Sequence, residues 1–214
     1  MKVYKTLHEF GCDEYIVEKS RFIGYAKPIN TEEEAKEFIE EIKKKHKDAT
    51  HNVWSYTVGE GMNIQRFSDD GEPSGTAGIP TLEVIKKEDL RDVVVVVTRY
   101  FGGVKLGAGG LVRAYTKGAK IGLDAGKIVE KIPHKEVFIT VDYTMLGKIQ
   151  NSLSDTEFAI RDIEYTDNVK IQVCTRLEQE QALKDMIVEI TNANCTITDG
   201  DEFYLSVLDG KVIF

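Results

Sequence analysis

Asp92-Val93-Val94-Val95-Val96-Val97-Thr98-Arg99-Tyr100-Phe101-Gly102-Gly103-Val104-Lys105-Leu106-Gly107-Ala108-Gly109-Gly110-Leu111-Val112-Arg113 is the stretch on which the reading of this chain turns. A strand with one wet face alternates apolar and polar residues. An unbroken β-branched run over Asp92–Thr98 therefore predicts a central strand covered on both faces. Five glycines follow in the nine residues from Gly102 to Gly110. Without Cβ atoms their backbone N–H groups can turn toward one point and be approached closely. The loop opens a helix predicted to run to about Asp124, and Gly126 suits the C′ position after it.

The chemistry of this loop follows from its neighbours. The helix N-terminus carries partial positive charge, and Arg99, Lys105 and Arg113 add full charges. Together with Arg66 and with Gly102, Gly103, Gly107, Gly109 and Gly110 they form a candidate anion site for a phosphate or a nucleic-acid backbone. It is not a P-loop: Gly102 and Gly107 have the right separation, but Ala108 stands where the lysine is required. Val112 likewise occupies the third glycine position of a dinucleotide fingerprint. The competing reading is that the glycines only permit tight turns and close helix–strand packing. Tyr100 lies just outside the valine run and is the aromatic expected to be exposed for base stacking.

Working back toward the N-terminus, Glu14–Ala26 reads as a strand or hairpin, and Thr31-Glu32-Glu33-Glu34 as a capping box opening a helix to about His46. The Lys43–Lys45 run at its end matches the helix dipole better than it marks a binding patch. His51–Val58 and Asn63–Phe67 read as paired strands about the Gly59–Gly61 turn. The loop Ser68-Asp69-Asp70-Gly71-Glu72-Pro73-Ser74-Gly75-Thr76 then leads to a short helix over Ile79–Lys87. Asp69, Asp70, Glu72, Ser74 and Thr76, with His51 and Arg66 brought near by the hairpin, form a second candidate loop of the site, its carboxylates suited to a cation or to acid–base chemistry. The spacing of a calcium loop is absent. The plainer alternative is a set of turn formers in which Ser74 or Thr76 caps the following helix.

Working forward, the pattern restarts around Lys131-Ile132-Pro133, which places a domain boundary at 130–134 and gives domains of residues 1–130 and 131–214. Val137–Tyr143, Met145–Leu153, Ala159–Tyr165, Lys170–Thr175, Gln179–Thr191 and Cys195–Val207 spell strand, helix, strand, strand, helix, strand, the split ferredoxin-like order. The formal net charge of −8 is uneven. Residues 1–130 hold 20 Lys and Arg against 21 Asp and Glu, or −1; residues 131–214 hold 8 against 15, or −7. Any grip on a polyanion must therefore be local, and the acidic C-terminal part is suited to a basic protein partner or to self-association.

Cys12, Cys174 and Cys195 lie far apart without metal-ligand spacing, so neither a disulfide nor zinc is expected. No apolar stretch approaches the roughly 20 residues of a membrane helix, and the N-terminus has no signal-peptide core, which points to the cytoplasm. No serine or cysteine nucleophile stands in a readable catalytic context. The residues thus predict a binding protein without a cofactor. The alternative is an enzyme acting on a phosphorylated small molecule or peptide between the acidic and glycine-rich loops.

Arg66-Phe67-Ser68-Asp69-Asp70-Gly71-Glu72-Pro73-Ser74-Gly75-Thr76-Ala77-Gly78 and Val97-Thr98-Arg99-Tyr100-Phe101-Gly102-Gly103-Val104-Lys105-Leu106-Gly107 resemble the signature of the YigZ/IMPACT family, supported by Ser20-Arg21-Phe22-Ile23 and His51-Asn52-Val53-Trp54-Ser55-Tyr56. The resemblance covers roughly residues 15–128 and implies an α+β fold. Its N-terminal domain would be similar to the second domain of a small-subunit ribosomal protein, and its C-terminal domain to a ferredoxin-like domain of elongation factor G. It implies a link to translation, since eukaryotic relatives act in translational control. They do so through an additional N-terminal domain that is missing from this sequence, so the resemblance implies contact with RNA, ribosome or a translation factor rather than kinase regulation. It assigns no catalytic residue.

Overall fold

The computed structural model describes residues 1–214, which divide into two compact units, one of Tyr4–Val129 and one of Glu130–Phe214 with Met1–Val3. In the first unit the elements run β1 (Tyr4–Leu7), β2 (Gly11–Val17), β3 (Ser20–Pro28), α1 (Glu32–Lys45), β4 (His51–Val58), β5 (Ile64–Ser68), α2 (Gly78–Lys87), β6 (Val93–Tyr100) and α3 (Gly107–Ala125). Five strands form one antiparallel sheet in the order β2-β3-β6-β4-β5, so the valine strand β6 is the middle one. Its side chains alternate between two cores. Val93, Val95 and Val97 pack toward α2 and α3, while Val94 and Val96 pack toward α1. Both sets are fully buried, which explains why no polar residue interrupts the run.

Local signals set the helices. Thr31 caps α1, its hydroxyl accepting from the Glu34 N–H at 3.2 Å. The returning Glu34 carboxylate accepts from the Asn30 N–H at 2.8 Å rather than from Thr31. Helix α3 lies unusually close to the sheet, because a Cβ on Gly24 would stand 1.9 Å from the Gly118 carbonyl oxygen. The end of α3 departs from expectation. Gly126 is right-handed, at φ −80°, and Lys127 carries the left-handed turn at φ +58°. Glycine is needed at 126 because a Cβ there would lie 2.9 Å from the Glu9 carbonyl oxygen.

The second unit is built from β7 (Ile128–Val141), α4 (Tyr143–Ser154), β8 (Ala159–Tyr165), β9 (Val169–Arg176), α5 (Glu180–Thr191), β10 (Thr196–Leu208) and β11 (Lys211–Ile213). The sheet order β11-β10-β7-β9-β8 is antiparallel throughout, and α4 (Ile149, Leu153) and α5 (Leu183, Ile187) pack on one face over Val137, Ile139, Ile171 and Val173. Lys131-Ile132-Pro133, read as a break in the pattern, lies within the continuous strand β7, where Pro133 faces Tyr204 of β10. The mixed helices and antiparallel sheets are those of an α+β protein. No helix is long and apolar enough to cross a membrane.

Candidate functional site

Period-two alternation decides where the site lies. Arg99 shares the odd-numbered face of β6 with Val97 and Val95, toward α3, whereas Tyr100 turns to the α1 face. In the ladder Arg99 stands directly opposite His51 of β4 and Phe22 of β3, so the three share one face. Arg99 is only 5% exposed. Its guanidinium lies between the Phe22 and Phe101 rings, 5.5 and 5.4 Å from their centroids.

A buried charge needs a partner, and Glu72 supplies it. Arg99 Nη1 donates to Glu72 Oε1 at 2.6 Å, and the Tyr115 hydroxyl donates to the same oxygen at 2.7 Å. Burial, and next the adjoining carboxylate, push the Tyr115 phenol up, so it stays a donor. His51 Nε2 lies 3.8 Å from Glu72 Oε1, while His51 Nδ1 is 2.8 Å from the Asp70 carbonyl. A carbonyl only accepts, so Nδ1 carries a proton, while Nε2 lies on the side of Glu72. Arg99 Nε is buried without a partner.

Glu72 reaches this position because the other two carboxylates shape the loop. Asp69 accepts from the N–H groups of Gly75, Ala77 and Gly78 at 2.9, 3.1 and 2.7 Å. It thereby does the capping of α2 expected of Ser74 or Thr76. The Thr76 hydroxyl instead donates to the Pro73 carbonyl, and Ser74 is exposed. Asp70 Oδ2 accepts from the Asn52 N–H at 2.7 Å, tying the loop to β4. The sequence cluster of three carboxylates is thus dispersed, and no group of three or more His, Cys, Asp or Glu is placed to hold a metal ion.

Across from this loop, α3 begins without a side-chain cap. Gly107, the first residue of the helix, adopts φ +70°, a left-handed conformation that favours glycine. The two loops meet at a cleft of about 390 Å³ whose polar lining is Thr50, His51, Glu72, Arg99 and Lys105, with Gly107 and Ala108 at the helix start and apolar walls from Phe101, Leu106 and Leu111. A second cleft of about 520 Å³ lies beyond Lys105 and Leu106, which line both; Tyr15, Val17, Arg113 and Lys117 are among its walls.

The structure does not bring every candidate residue here. Arg66 is exposed on the edge strand β5 opposite Tyr56, whose side chain packs on the α1 side. Tyr100 is half-buried on the α1 face, its hydroxyl 2.8 Å from His46 Nδ1, and the exposed aromatic of the loop is Phe101. Gly102 is a packing glycine, since a Cβ there would lie 2.0 Å from the Lys19 carbonyl carbon. Gly103 makes a turn at φ +85°. Gly109 is exposed, and Gly110 packs on Leu106. Tyr115, Phe101 and Thr50 complete the lining and its support without having been singled out for the site. Tyr115 was findable: it follows Leu111 by four residues and precedes Ala119 by four, a spacing that puts it on the buried stripe of α3.

Comparison with known proteins identifies the family of the chain. Residues 18–123 match the family described as Impact N-terminal domain, and residues 139–194 match Domain of unknown function (DUF1949). The chain is 46% identical over 202 residues to IMPACT family member YvyE of Bacillus subtilis, covering 94% of this chain and 93% of that protein. It is 35% identical to IMPACT family member YigZ of Escherichia coli, over 73% of this chain and 78% of that one. Protein IMPACT of Xenopus laevis is 34% identical over 42% of this chain and 30% of its own length. A crystal structure of a hypothetical protein superposes with a TM-score of 0.59 at 28% identity, covering 94% of this chain and 98% of that one. The protein belongs to the IMPACT family, in its bacterial YigZ/YvyE branch.

Proposed function

We propose that this protein is a cytoplasmic, translation-associated binding protein whose first unit holds the phosphates of an RNA along the start of α3. The observation that carries the reading is a row of cations running from the start of α3, which has no side-chain cap, along its first three turns. Lys105, Arg113 and Lys117 are exposed, and none is in an ion pair. Arg113 and Lys117 lie one turn apart on α3. Lys117 Nζ sits 4.3 Å from the Tyr15 ring centroid, a contact that leaves its charge available. The two clefts share Lys105 and Leu106, so a chain passing from one to the other crosses Lys105; this favours a polymer over an isolated small ligand.

The IMPACT membership adds the link to translation that the family resemblance implies, and the local character of the cations fits a chain of net charge −8. Turnover of a phosphorylated molecule in the smaller cleft has less support. Its one lining carboxylate, Glu72, already accepts from Arg99 and Tyr115 and serves as a structural anion rather than a free base. The test is RNA binding across a salt titration, comparing the parent chain with Arg113→Gln plus Lys117→Gln. With about 0.7 in slope per single-strand phosphate contact, the double variant should flatten the plot of log affinity against log salt by about 1.4. An unchanged slope would refute the reading.

A further inference from the structure

We infer that the exposed Tyr143–Tyr165 pair of the second unit, with the Asp142 and Asp167 carboxylates beside it, docks an arginine-bearing basic segment of a partner protein. The surface belongs to the second unit alone and is independent of the RNA reading. Strand register puts its residues together. Val141 and Tyr165 both pair with Val169, which is buried under the helices, so Tyr165 lies on the helix-covered face of the outer strand β8. β7 ends at that rung, Asp142 follows as the N-cap of α4, and Tyr143 is the first residue of the helix. The two rings stack with centroids 6.3 Å apart, yet Tyr143 is 50% and Tyr165 61% exposed. The Tyr143 hydroxyl donates to the Thr166 carbonyl, and the Thr166 N–H and hydroxyl both donate to the Asn168 carbonyl at 3.0 Å. The pair is therefore held in place before a partner arrives, which lowers the ordering cost of binding.

The chemistry of the partner follows from what surrounds the rings. Elsewhere on this sheet the aromatics already hold cations of their own chain. Lys170 Nζ lies 4.5 Å from the Phe138 centroid, and the Arg161 guanidinium lies 5.3 Å from that of Phe203. Tyr143 and Tyr165 have no such contact, so their exposed faces stay open to a cation from outside. Asp142 makes no side-chain capping bond, Asp167 lies in the exposed β8–β9 turn, and neither carboxylate is in an ion pair. Residues 131–214 carry 8 Lys and Arg against 15 Asp and Glu, so the surrounding field also favours a cation. A guanidinium meets both features at once, because it stacks flat on an aromatic ring and pairs with a carboxylate through a planar fork. Lysine brings the charge without the flat surface or the fork. Nucleobases also stack on tyrosine, but the phosphates that accompany them would be repelled by two unpaired carboxylates. Tyrosine and arginine are, besides, the side chains that most often anchor protein interfaces.

The experiment measures binding of a fluorescent peptide of four Gly-Arg repeats to the full chain at low salt, with the Gly-Lys version for comparison. The arginine peptide should bind about threefold more tightly than the lysine one. Tyr165→Ser keeps the net charge while removing an exposed ring, and should weaken the arginine peptide about fivefold. Tyr165→Phe keeps a π face and should stay within about twofold of the parent. Asp142→Asn plus Asp167→Asn should weaken both peptides. Asp155→Asn plus Asp209→Asn makes the same change of charge at the exposed far end of α4 and in the β10–β11 turn. That second pair should leave both affinities within about twofold. Absence of arginine-peptide binding by the parent, equal binding by Tyr165→Ser, loss of affinity in Tyr165→Phe, or equal losses in the two aspartate pairs would each overturn the inference. So would a fall in oligoribonucleotide affinity on Tyr165→Ser, which would make the rings a base-stacking platform. Self-association of the parent that Tyr165→Ser abolishes in sedimentation velocity would overturn it too, by making a second copy the occupant.

Discussion

The loops Ser68–Thr76 and Arg99–Gly110 border one cleft and use their polar groups in opposite ways. The acidic loop carries three carboxylates and engages all of them internally: Asp69 on three backbone N–H groups, Asp70 on Asn52, and Glu72 on Arg99 and Tyr115. The glycine-rich loop has few side chains to offer its own backbone, so the first turn of α3 goes uncapped and Lys105 unpaired. Density of charge along a sequence is therefore a poor guide to density of available charge in a site. A carboxylate within reach of free N–H groups satisfies them, whereas a loop without side chains leaves its donors for a ligand.

Substitutions can break this contrast. The largest effect is expected at Glu72: Glu72→Ala leaves the Arg99 guanidinium buried and uncompensated, and should cost about 3–5 kcal/mol in denaturant unfolding. Asp69→Ala frees three loop N–H groups at once and should cost about 2–3 kcal/mol by the same measurement, against about 1 kcal/mol for Asp70→Ala, which loses one. In the glycine loop the cost has another origin. Gly107→Ala forces an L side chain to φ +70° with open space around it, so about 1–2 kcal/mol of backbone strain is expected without any lost hydrogen bond. Smallest of all should be Ser74→Ala, within about 0.5 kcal/mol, because Asp69 rather than Ser74 caps α2. A large effect at Ser74 together with a small one at Asp69 would reverse the assignment of the cap.

Parts of this were legible in the residues. Five consecutive valines between polar ends can only be satisfied where both faces are covered, and β6 is the middle strand with a separate core on each side. Thr31 marked the start of α1 because its hydroxyl is the nearest acceptor for an orphan N–H. The separation of Arg99 from Tyr100 was implicit in the same alternation, since neighbours on a strand point to opposite faces, yet both were grouped into one site on proximity in sequence. Gly126 suggested a left-handed cap and proved to be a packing position, a distinction that depends on the Leu7–Glu9 segment lying against it.

The sequence by itself determined the central strand, the helix that follows the glycine loop, and the membership marked by residues 66–78 and 97–107. Each rests on spacing or on intrinsic backbone preference, which are local properties. Only the tertiary structure decided that His51 stands opposite Arg99, that Glu72 reaches across to join Arg99 to Tyr115, and that Lys105 separates two clefts. These pairings depend on strand register and on how a loop folds over it. Register is set by the packing of whole faces rather than by the residues that end up touching.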